Sequence, residues 1–485
     1  MPKTWILGRR LTALLDRLRH RAQPTSWALL FGTVSLGCFT VLLITGVILM
    51  VVYDGSGELI TYDGSYALLQ GITVSRAFAS TMELSFEIPG GLLVRQAHHW
   101  AALVLPASML MQLAGAFFTG ATRRPRHWAW VLLVAAFLVV LVCGWSGYAL
   151  PDDNLSGTGL RIVQGTTLAL PFIGTWFTGL LFGGEFPGRV IEHLYLIHLI
   201  TPVVLVLIGA LRLWLGGRRG PVQPPDGRVP DPVVGLPVWP QVAVRAGGLF
   251  MITLGVLVIM AGTMTVSPVW RYGPASPGNA YAGSQPDWYT AFLDGALRLV
   301  PPGWEVFLWG RTWSFAVLVP LAAIGAFFTL LLAWPFVEER LTGRTERPLP
   351  QRPRDHPNRT GFGAAGVTFY GVLWLSGSAD LLATQFHLSF EGVIRVFRIL
   401  VLIGPFLAFA VTRAVCLGLQ TADRERQQHG AETGQLVRLV NGGYVERHDP
   451  APAARTEPAA LDASGPQRNT TDAAPSPPLA DAARR

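Results

Sequence analysis

Charged side chains are scarce in this sequence. Asp, Glu, Lys and Arg make up 14% of its 485 residues, whereas 51% are hydrophobic. Soluble domains carry about 25% charged residues, so the composition excludes an ordinary soluble enzyme. Cysteine is scarcer still: the only three are Cys38, Cys143 and Cys416, and none belongs to a C-x-x-C or C-x-x-C-H motif. That pattern excludes iron–sulfur ligation by this chain and covalent haem attachment to it.

Long apolar runs are abundant instead. Eight reach the length that an α-helix needs to cross a bilayer, and they cover residues 27–53, 92–118, 128–150, 190–214, 242–266, 314–336, 364–383 and 394–418. The seventh is the least regular, because Ser376, Ser378 and Asp380 interrupt it. The first is predicted to be retained, because no small-residue cleavage site follows it. The sequence therefore predicts an all-α polytopic membrane protein with eight transmembrane helices.

Basic residues alternate with acidic ones from one loop to the next. Arginines precede the first predicted span and follow the second, fourth and sixth, whereas the intervening loops carry a more acidic mixture. Because basic residues remain on the cytoplasmic side, both termini are predicted to be cytoplasmic, in a multi-pass protein of the plasma membrane. The net charge of +8 reflects this asymmetry, so no nucleic-acid partner is expected.

A stretch rich in proline and glycine divides the chain into two halves of four predicted helices each. The predicted organisation is a cytoplasmic N-terminal segment (1–26), an N-terminal four-helix domain (27–215), a cytoplasmic linker (216–241), a C-terminal domain (242–420), a cytoplasmic extension (421–450) and a disordered tail (451–485). The tail has almost no large apolar groups with which to form a core.

Two histidines lie inside the apolar segments of the N-terminal half. His98 is in the second predicted span and His198 is in the fourth. Residues fourteen apart share a helix face about 21 Å apart, so a histidine at each such position could hold two stacked haems. Here the residues fourteen further on are Gln112 and Arg212. One bis-histidine site is therefore predicted, near the outer ends of the two helices, and the second is absent.

Small and cationic residues around the pair agree with a haem site. Gly32 and Gly46 are also fourteen apart, and Gly147 is placed to serve the outer layer, because a flat macrocycle between helices needs small residues. Leu133 stands fourteen residues before Gly147, so the inner layer lacks this glycine. Arg95, one turn before the first histidine, would face a haem propionate.

Other interpretations of these residues remain open. An intramembrane histidine is more often a packed, hydrogen-bonded core residue than a ligand. His99 could be the ligand in place of His98. Gln112 is compatible with a polar residue at a helix end, and Arg212 with an arginine that extends to the cytoplasmic surface.

Seven motifs in chain order resemble cytochrome b of the quinol–cytochrome c reductases, particularly the actinobacterial form. They are RQAHHWAA (95–102), FFTGA (117–121), GYALPDD (147–153), SGTG (156–159), AGSQPDWY (282–289), LPQRPRD (349–355) and FHLS (386–389). The resemblance runs from about residue 20 to 450. It implies that residues 27–215 form the haem-binding domain and that residues 242–420 carry a quinol-site motif.

The resemblance also implies two b-type haems, each held by two histidines. The outer, low-potential haem would be held by His98 and His198. The second histidine of each pair is replaced by Gln112 and Arg212, Gly115 stands where the family has arginine, and Leu133 where it has glycine. The chain is therefore expected to bind one haem b, at the outer site.

The quinol-site motif contains Pro286, Asp287, Trp288 and Tyr289. Oxidation of a hydroquinone needs a proton acceptor near the electron acceptor, and Asp287 is the candidate base. Tyr289 and Tyr148 could hydrogen-bond the ring oxygens.

A local alternative also fits the motif. Ser284 and Asp287 have the spacing of a capping box, and Pro286 would then lie in the first helical turn. The two roles are compatible, because a carboxylate near a helix end can also face a pocket.

Three functions follow from these predictions. The first, which the resemblance implies, is the cytochrome b subunit of a menaquinol–cytochrome c reductase, in a dimeric complex with a Rieske-type iron–sulfur subunit and a cytochrome c subunit. The second is a paralogue with a single haem that transfers electrons without a full Q cycle. The third is a haem-free assembly or scaffold membrane protein.

Overall fold

The structure is a computed structural model, and it describes residues 22–23, 27–124, 126–184, 188–218, 236–276, 278, 285–343 and 351–449. Most of the predicted N-terminal segment, most of the linker and the predicted disordered tail lie outside these residues. The predicted cytoplasmic location of both termini therefore stays a prediction.

Helices dominate the described residues. In chain order they are α1 (Trp27–Val52), α2 (Arg76–Phe86), α3 (Gly91–Phe118), α4 (His127–Ala149), α5 (Asn154–Leu168), α6 (Gly174–Phe182), α7 (Val190–Arg218), α8 (Ala243–Thr263), α9 (Val269–Tyr272), α10 (Ala291–Leu299), α11 (Phe315–Thr342), α12 (Pro357–Gly377), α13 (Ala379–Gln385) and α14 (Phe390–His429). Short 3₁₀ turns cover Ala67–Leu69 and Pro353–Asp355, and a π turn covers Val238–Val242.

Strands occur as four antiparallel pairs. Their bounds are β1 (Ala22–Gln23), β2 (Leu59–Thr61), β3 (Thr73–Ser75), β4 (Leu236–Pro237), β5 (Glu305–Leu308), β6 (Arg311–Ser314), β7 (Ala431–Arg438) and β8 (Tyr444–Asp449). The pairs are β1 with β4, β2 with β3, β5 with β6 and β7 with β8. The last three pairs are local hairpins.

Seven helices of the described chain are long and apolar enough to cross a membrane, and the structure confirms a helical, polytopic architecture. They are α1, α3, α4, α7, α8 (with the π turn before it), α11 and α14. The seventh predicted span, residues 364–383, corresponds to parts of α12 and α13, which meet at Ser378. α12 is not one of the seven, so the count of eight spans stays a prediction.

The long helices of the N-terminal half pack in two pairs. α1 packs along α3, and α4 packs along α7. α3 also contacts α4, α8 and α12, so this helix joins the two predicted halves. The described residues up to Cys416 form one compact unit, and those from Leu417 form a second unit that contains the end of α14 and the β7–β8 hairpin.

The short helix after α4 begins at a strong cap. The carboxylate of Asp153 accepts from the backbone N–H of Leu155 at 3.2 Å and from the hydroxyl of Ser156 at 2.6 Å. Burial raises the pKa of this carboxyl group, and the hydrogen bonds from Ser156 oppose that increase. The cap fixes the chain direction where it leaves α4, next to the candidate site.

A buried charge cluster connects the end of α3 to α11 and α12. Oε1 of Glu338 accepts from Arg123 at 2.9 Å and from Arg359 at 3.0 Å. Arg359 also donates to Oε1 of Gln351 at 2.8 Å and to the carbonyl of Phe118. The three charged side chains are 9% exposed or less. Because charges at this depth are costly without partners, each member depends on the others.

We expect Glu338→Ala to lower the free energy of unfolding by about 3–5 kcal/mol, because it leaves two buried guanidinium groups without their carboxylate. Thermal unfolding of the purified protein in detergent measures the loss. The matched control is Glu339→Ala, which removes the partner of the exposed Arg124 and should cost at most about 1 kcal/mol. Equal losses for the two variants would contradict a stabilising role for the buried cluster.

Candidate haem and quinol site

The two predicted histidines face each other in the structure. His98 lies on α3 and His198 on α7, with ring centres 6.2 Å apart and ring planes at 65°. A metal held by two imidazoles lies about 2 Å from each nitrogen, and each ring centre lies about 1 Å beyond, so ring centres about 6 Å apart are compatible with one bridging iron. The ring spacing is compatible with two imidazoles that hold one metal between them.

Hydrogen bonds determine which nitrogen of each ring is available. Thr45 on α1 donates its hydroxyl hydrogen to the carbonyl of Val41 at 2.6 Å, so its oxygen accepts from Nδ1 of His98 at 2.9 Å. The carbonyl of Cys143 on α4 can only accept, and it lies 2.9 Å from Nδ1 of His198. Both Nδ1 atoms therefore carry a hydrogen, and both Nε2 atoms keep the lone pair that a metal needs.

Glycines allow the helices to approach these side chains. A Cβ on Gly46 would come within 3.3 Å of the ring of His98, and one on Gly147 within 2.5 Å of the ring of His198. Two of the three predicted glycines, Gly46 and Gly147, thus lie directly against the imidazoles. Gly144, one turn before Gly147 on α4, leaves similar room for Tyr289. Side chains at these positions would displace the rings.

One cavity joins the histidine pair to the predicted quinol-site residues. Its volume is about 290 Å³ and its wall is mainly apolar, close to the lower end of the range of about 300–1,000 Å³ for small-molecule sites. Besides both histidines, it is lined by Arg95, Tyr148, Asp287 and Tyr289. The residues predicted to bind haem and those predicted to bind quinol therefore line the same cavity.

Arg95 is buried near the N-terminal end of α3. Its side chain is 8% exposed, donates to the carbonyl of Ser267 at 3.0 Å and lies 5.9 Å from the ring centre of Trp270. Its buried Nε has no hydrogen-bond partner among the described residues. A buried guanidinium with a donor to spare fits an anionic group such as a propionate. Two available imidazoles, two close glycines and this cation together fit a haem.

Asp287 is held from two sides. Nε2 of His99 lies 3.1 Å from each carboxylate oxygen, and the hydroxyl of Tyr289 donates to Oδ2 at 2.9 Å. Burial raises the pKa of Tyr289 well above its usual range, and the neighbouring carboxylate adds to the increase. The hydroxyl therefore keeps its hydrogen and donates it.

The segment around Asp287 is attached to its neighbours on both sides. The hydroxyl of Tyr148 donates to the carbonyl of Gln285 at 3.4 Å. The side chain of Gln285 donates to the carboxylate of Asp380 at 2.8 and 2.9 Å. The indole of Trp288 donates to the carbonyl of Leu103 at 3.1 Å. These contacts hold the segment against α3, α4 and α13.

The capping-box alternative concerns the same segment. Ser284 lies outside the described residues. The helix that follows, α10, begins at Ala291 after Thr290, so Pro286 and Asp287 precede it rather than form its first turn. The carboxylate contacts that the structure describes are those to His99 and Tyr289.

Consecutive residues on α3 face different partners. His98 faces His198, whereas His99 faces Asp287. Each helical residue turns by about 100°, so neighbouring side chains cannot share a face. The geometry supports His98, rather than His99, as the partner of His198.

Two of the side chains in the predicted inner layer are buried. Gln112 is 7% exposed and Leu133 is 3% exposed. Nε2 of Gln112 donates to Oγ of Ser35 at 2.6 Å, and that oxygen lies 2.6 Å from Oγ of Ser108. This polar cluster connects α1 to α3 without any metal-binding group.

The inner layer repeats the backbone arrangement of the outer one. A Cβ on Gly32 would lie 3.5 Å from Oε1 of Gln112, as one on Gly46 would lie against His98. Neither Gln112 nor Leu133 nor Arg212 lines the cavity of the histidine pair. The fourteen-residue repeat is thus present in the backbone, but the two layers carry different chemistry.

Three contributors were not found from the sequence. His99 was considered only as a ligand, because its partner Asp287 is 188 residues away. Nothing in the sequence indicated Thr45, because its partner His98 is 53 residues away. Gly144 could have been found, since it lies one turn from Gly147 on the same helix.

Comparisons with known proteins match the chain to cytochrome b sequences and to a chain of a respiratory Complex III. Residues 103–274 match the family described as cytochrome b (N-terminal)/b6/petB. The cytochrome bc1 complex cytochrome b subunit of Streptomyces coelicolor is 40% identical over 432 residues, which cover 88% of this chain and 79% of the relative. That of Mycobacterium tuberculosis is 43% identical over 445 residues, which cover 90% and 80%. A chain of a hyperthermophilic respiratory Complex III has a similar fold, with a TM-score of 0.62 at 20% identity, covering 86% of this chain and 99% of that one.

We expect Gly147→Ala to abolish or strongly reduce haem binding, because its methyl group would displace the ring of His198. The pyridine haemochrome spectrum of the purified protein measures haem per chain. The control is Gly209→Ala on the same helix as His198, where no atom lies within 4 Å of the added Cβ. Full haem content in Gly147→Ala would show that the close approach is not needed.

Proposed function

Because this chain belongs to the cytochrome b subunits of bacterial cytochrome bc1 complexes, we propose that it oxidises menaquinol at the outer membrane face, next to a single haem b. Membership establishes a multi-pass protein of the plasma membrane that takes part in respiratory electron transport. The observation that carries the proposal is the shared cavity, which joins the histidine pair to Asp287.

His98 and His198 would hold the iron of that haem through Nε2. Both rings are already fixed in the required tautomer by hydrogen bonds at Nδ1. Gly46 and Gly147 would keep the helix backbones close to the rings, and Arg95 would pair with a propionate through its spare donor. A bound haem supplies one-electron redox chemistry, which these side chains lack.

Asp287 would accept a phenolic proton from the quinol. A carboxylate serves this purpose when it faces the substrate in a largely apolar pocket, and the cavity wall meets that condition. Tyr148 and Tyr289 would hydrogen-bond the ring oxygens, since hydroxyl oxygens that donate elsewhere still accept. Pro286 and Trp288 do not line the cavity; they would instead support the segment that carries Asp287 and Tyr289, as Trp288 does through its bond to Leu103.

The electrons would leave in two directions. A two-electron quinol oxidation releases one electron to a Rieske-type iron–sulfur subunit, which passes it to a cytochrome c subunit, and one electron to the haem site of this chain. The relatives are subunits of bc1 complexes, and this supports such partners. The proposed assembly is a dimer within the lipid bilayer. No nucleic acid has a part in this proposal.

A second candidate is a single-haem paralogue without a full Q cycle. The inner layer favours it. Gln112, Ser35 and Ser108 form a hydrogen-bonded cluster, Leu133 is buried, and Arg212 replaces the other expected histidine. These residues offer no axial ligand pair, so reduction of quinone on the inner side lacks its electron donor. A haem-free scaffold is the remaining alternative.

We expect one haem per chain in the purified protein, because only one pair of available imidazoles faces a cavity in the described residues. His198→Ala should remove the reduced b-type absorption band, whereas Arg212→Ala should leave it unchanged. Two haems with bis-histidine spectra would exclude the one-haem arrangement, and absence of haem would favour the scaffold.

We expect Asp287→Asn to lower the rate of quinol-dependent haem reduction by about 100-fold or more, since an amide cannot take the phenolic proton. Stopped-flow spectra with a short-chain naphthoquinol and the purified complex measure the rate. The control is Asp63→Asn, an exposed carboxylate in the β2–β3 loop, which should react at the unchanged rate. An unaltered rate in Asp287→Asn would mean that another group takes the proton.

A further inference from the structure

We propose that His99 is the positioning residue for Asp287: its Nε2–H fixes the direction in which the carboxylate meets the quinol. This inference rests on the proposed quinol oxidation. Its basis is the contact of one imidazole nitrogen with both carboxylate oxygens, each at 3.1 Å, across two distant parts of the chain.

The donor in this contact is the histidine. An ionised carboxylate has no hydrogen to give, so Nε2 of His99 must carry one. The side chains of His99 and Asp287 are 15% and 14% exposed, so water alone does not satisfy the carboxylate. The hydroxyl of Tyr289 donates to Oδ2 only. Without His99 the carboxylate would keep one side-chain donor among the described residues, Tyr289, and could rotate about its Cβ–Cγ bond.

The contact between His99 and Asp287 means that two neighbouring residues of α3 have different tasks. The Nε2 of His99 is occupied by Asp287, so it is not available to a metal, whereas the ring of His98 lies opposite the ring of His198. One residue of α3 thus sets the electron-accepting end of the site, and the next residue sets the proton-accepting end. Their separation is fixed by the helix backbone rather than by flexible loops.

The outer end of α3 is itself anchored. Arg95 donates to the backbone of residues 264–267 at 3.0 Å, Gln96 accepts from it at 2.7 Å, and Trp100 donates to it at 2.8 Å. These three contacts flank His98 and His99 and hold the helix against the segment that follows α8. A rigid support of this kind is what a positioning residue needs.

The test compares His99→Leu, His99→Gln, Asp287→Asn and the double variant His99→Leu/Asp287→Asn in the whole complex. The readouts are haem content, kcat and KM with a short-chain naphthoquinol. We expect His99→Leu to keep its haem and to have a KM within about threefold of the parent, but to lose about 10- to 100-fold in kcat. His99→Gln, which retains an N–H donor at a similar reach, should recover to within about threefold of the parent.

The double variant provides the specific readout. If His99 acts through Asp287, removing both should slow the reaction no more than Asp287→Asn alone, because the two changes remove one function. A merely structural histidine would instead give losses that multiply. His193→Gln is the matched control, since that ring contacts the carbonyl of Leu180 on α6 and should have parental kinetics.

The outcomes separate this inference from the proposed function. The positioning role is wrong if His99→Leu has the parental kcat, if its loss multiplies with that of Asp287→Asn, or if it loses its haem. The proposed function is wrong if the parent complex fails to reduce its haem with quinol, and the role of His99 then falls with it. If the parent is active but Asp287→Asn is as fast, the carboxylate has no part and His99 positions nothing.

Discussion

The hydrogen bonds at Nδ1 of the two facing histidines are the interaction on which the site depends. Thr45 and the carbonyl of Cys143 fix both rings in one tautomer and one orientation, and this leaves two Nε2 lone pairs on rings 6.2 Å apart. This arrangement requires Gly46 on α1 and Gly147 on α4, because a residue without a Cβ lets each helix backbone lie close to a ring. The packing of α1 on α3 and of α4 on α7 therefore serves the geometry of the pair.

The two layers of the N-terminal bundle show how one backbone supports different chemistry. Gly32 lies against the amide of Gln112 as Gly46 lies against the ring of His98. In the outer layer the side chains line a cavity, whereas in the inner layer Gln112, Ser35 and Ser108 satisfy one another. A buried polar group needs a partner, and this cluster supplies partners without a cofactor. The inner layer is thus a packed interior in its own right.

The sequence predicted what depends on helical period and composition. The apolar context pointed to His98 and His198, a spacing of fourteen residues pointed to Gly32 and Gly46, and apolar length identified the spans apart from the segment near Ser378, where the helix breaks. It could not predict contacts between distant segments, since periodicity carries no information on them. His99 with Asp287 and Arg123 with Glu338 are 188 and 215 residues apart. In the sequence, His99 was only an alternative metal ligand, and nothing indicated the ion pair between Arg123 and Glu338.

The filled inner layer has a consequence for energy conversion. Moving one elementary charge across the whole membrane against 100 mV costs about 2.3 kcal/mol. In a chain whose redox chemistry is confined to the outer layer, electrons do not cross the inner half of the bilayer, so turnover would do little electrical work. Such a protein would keep its turnover rate at a high membrane potential. The same potential would slow a relative that moves charge across the whole membrane. The cluster of Gln112, Ser35 and Ser108 would then stand where an electron carrier would be needed, so the rate of quinol oxidation would not depend on the membrane voltage.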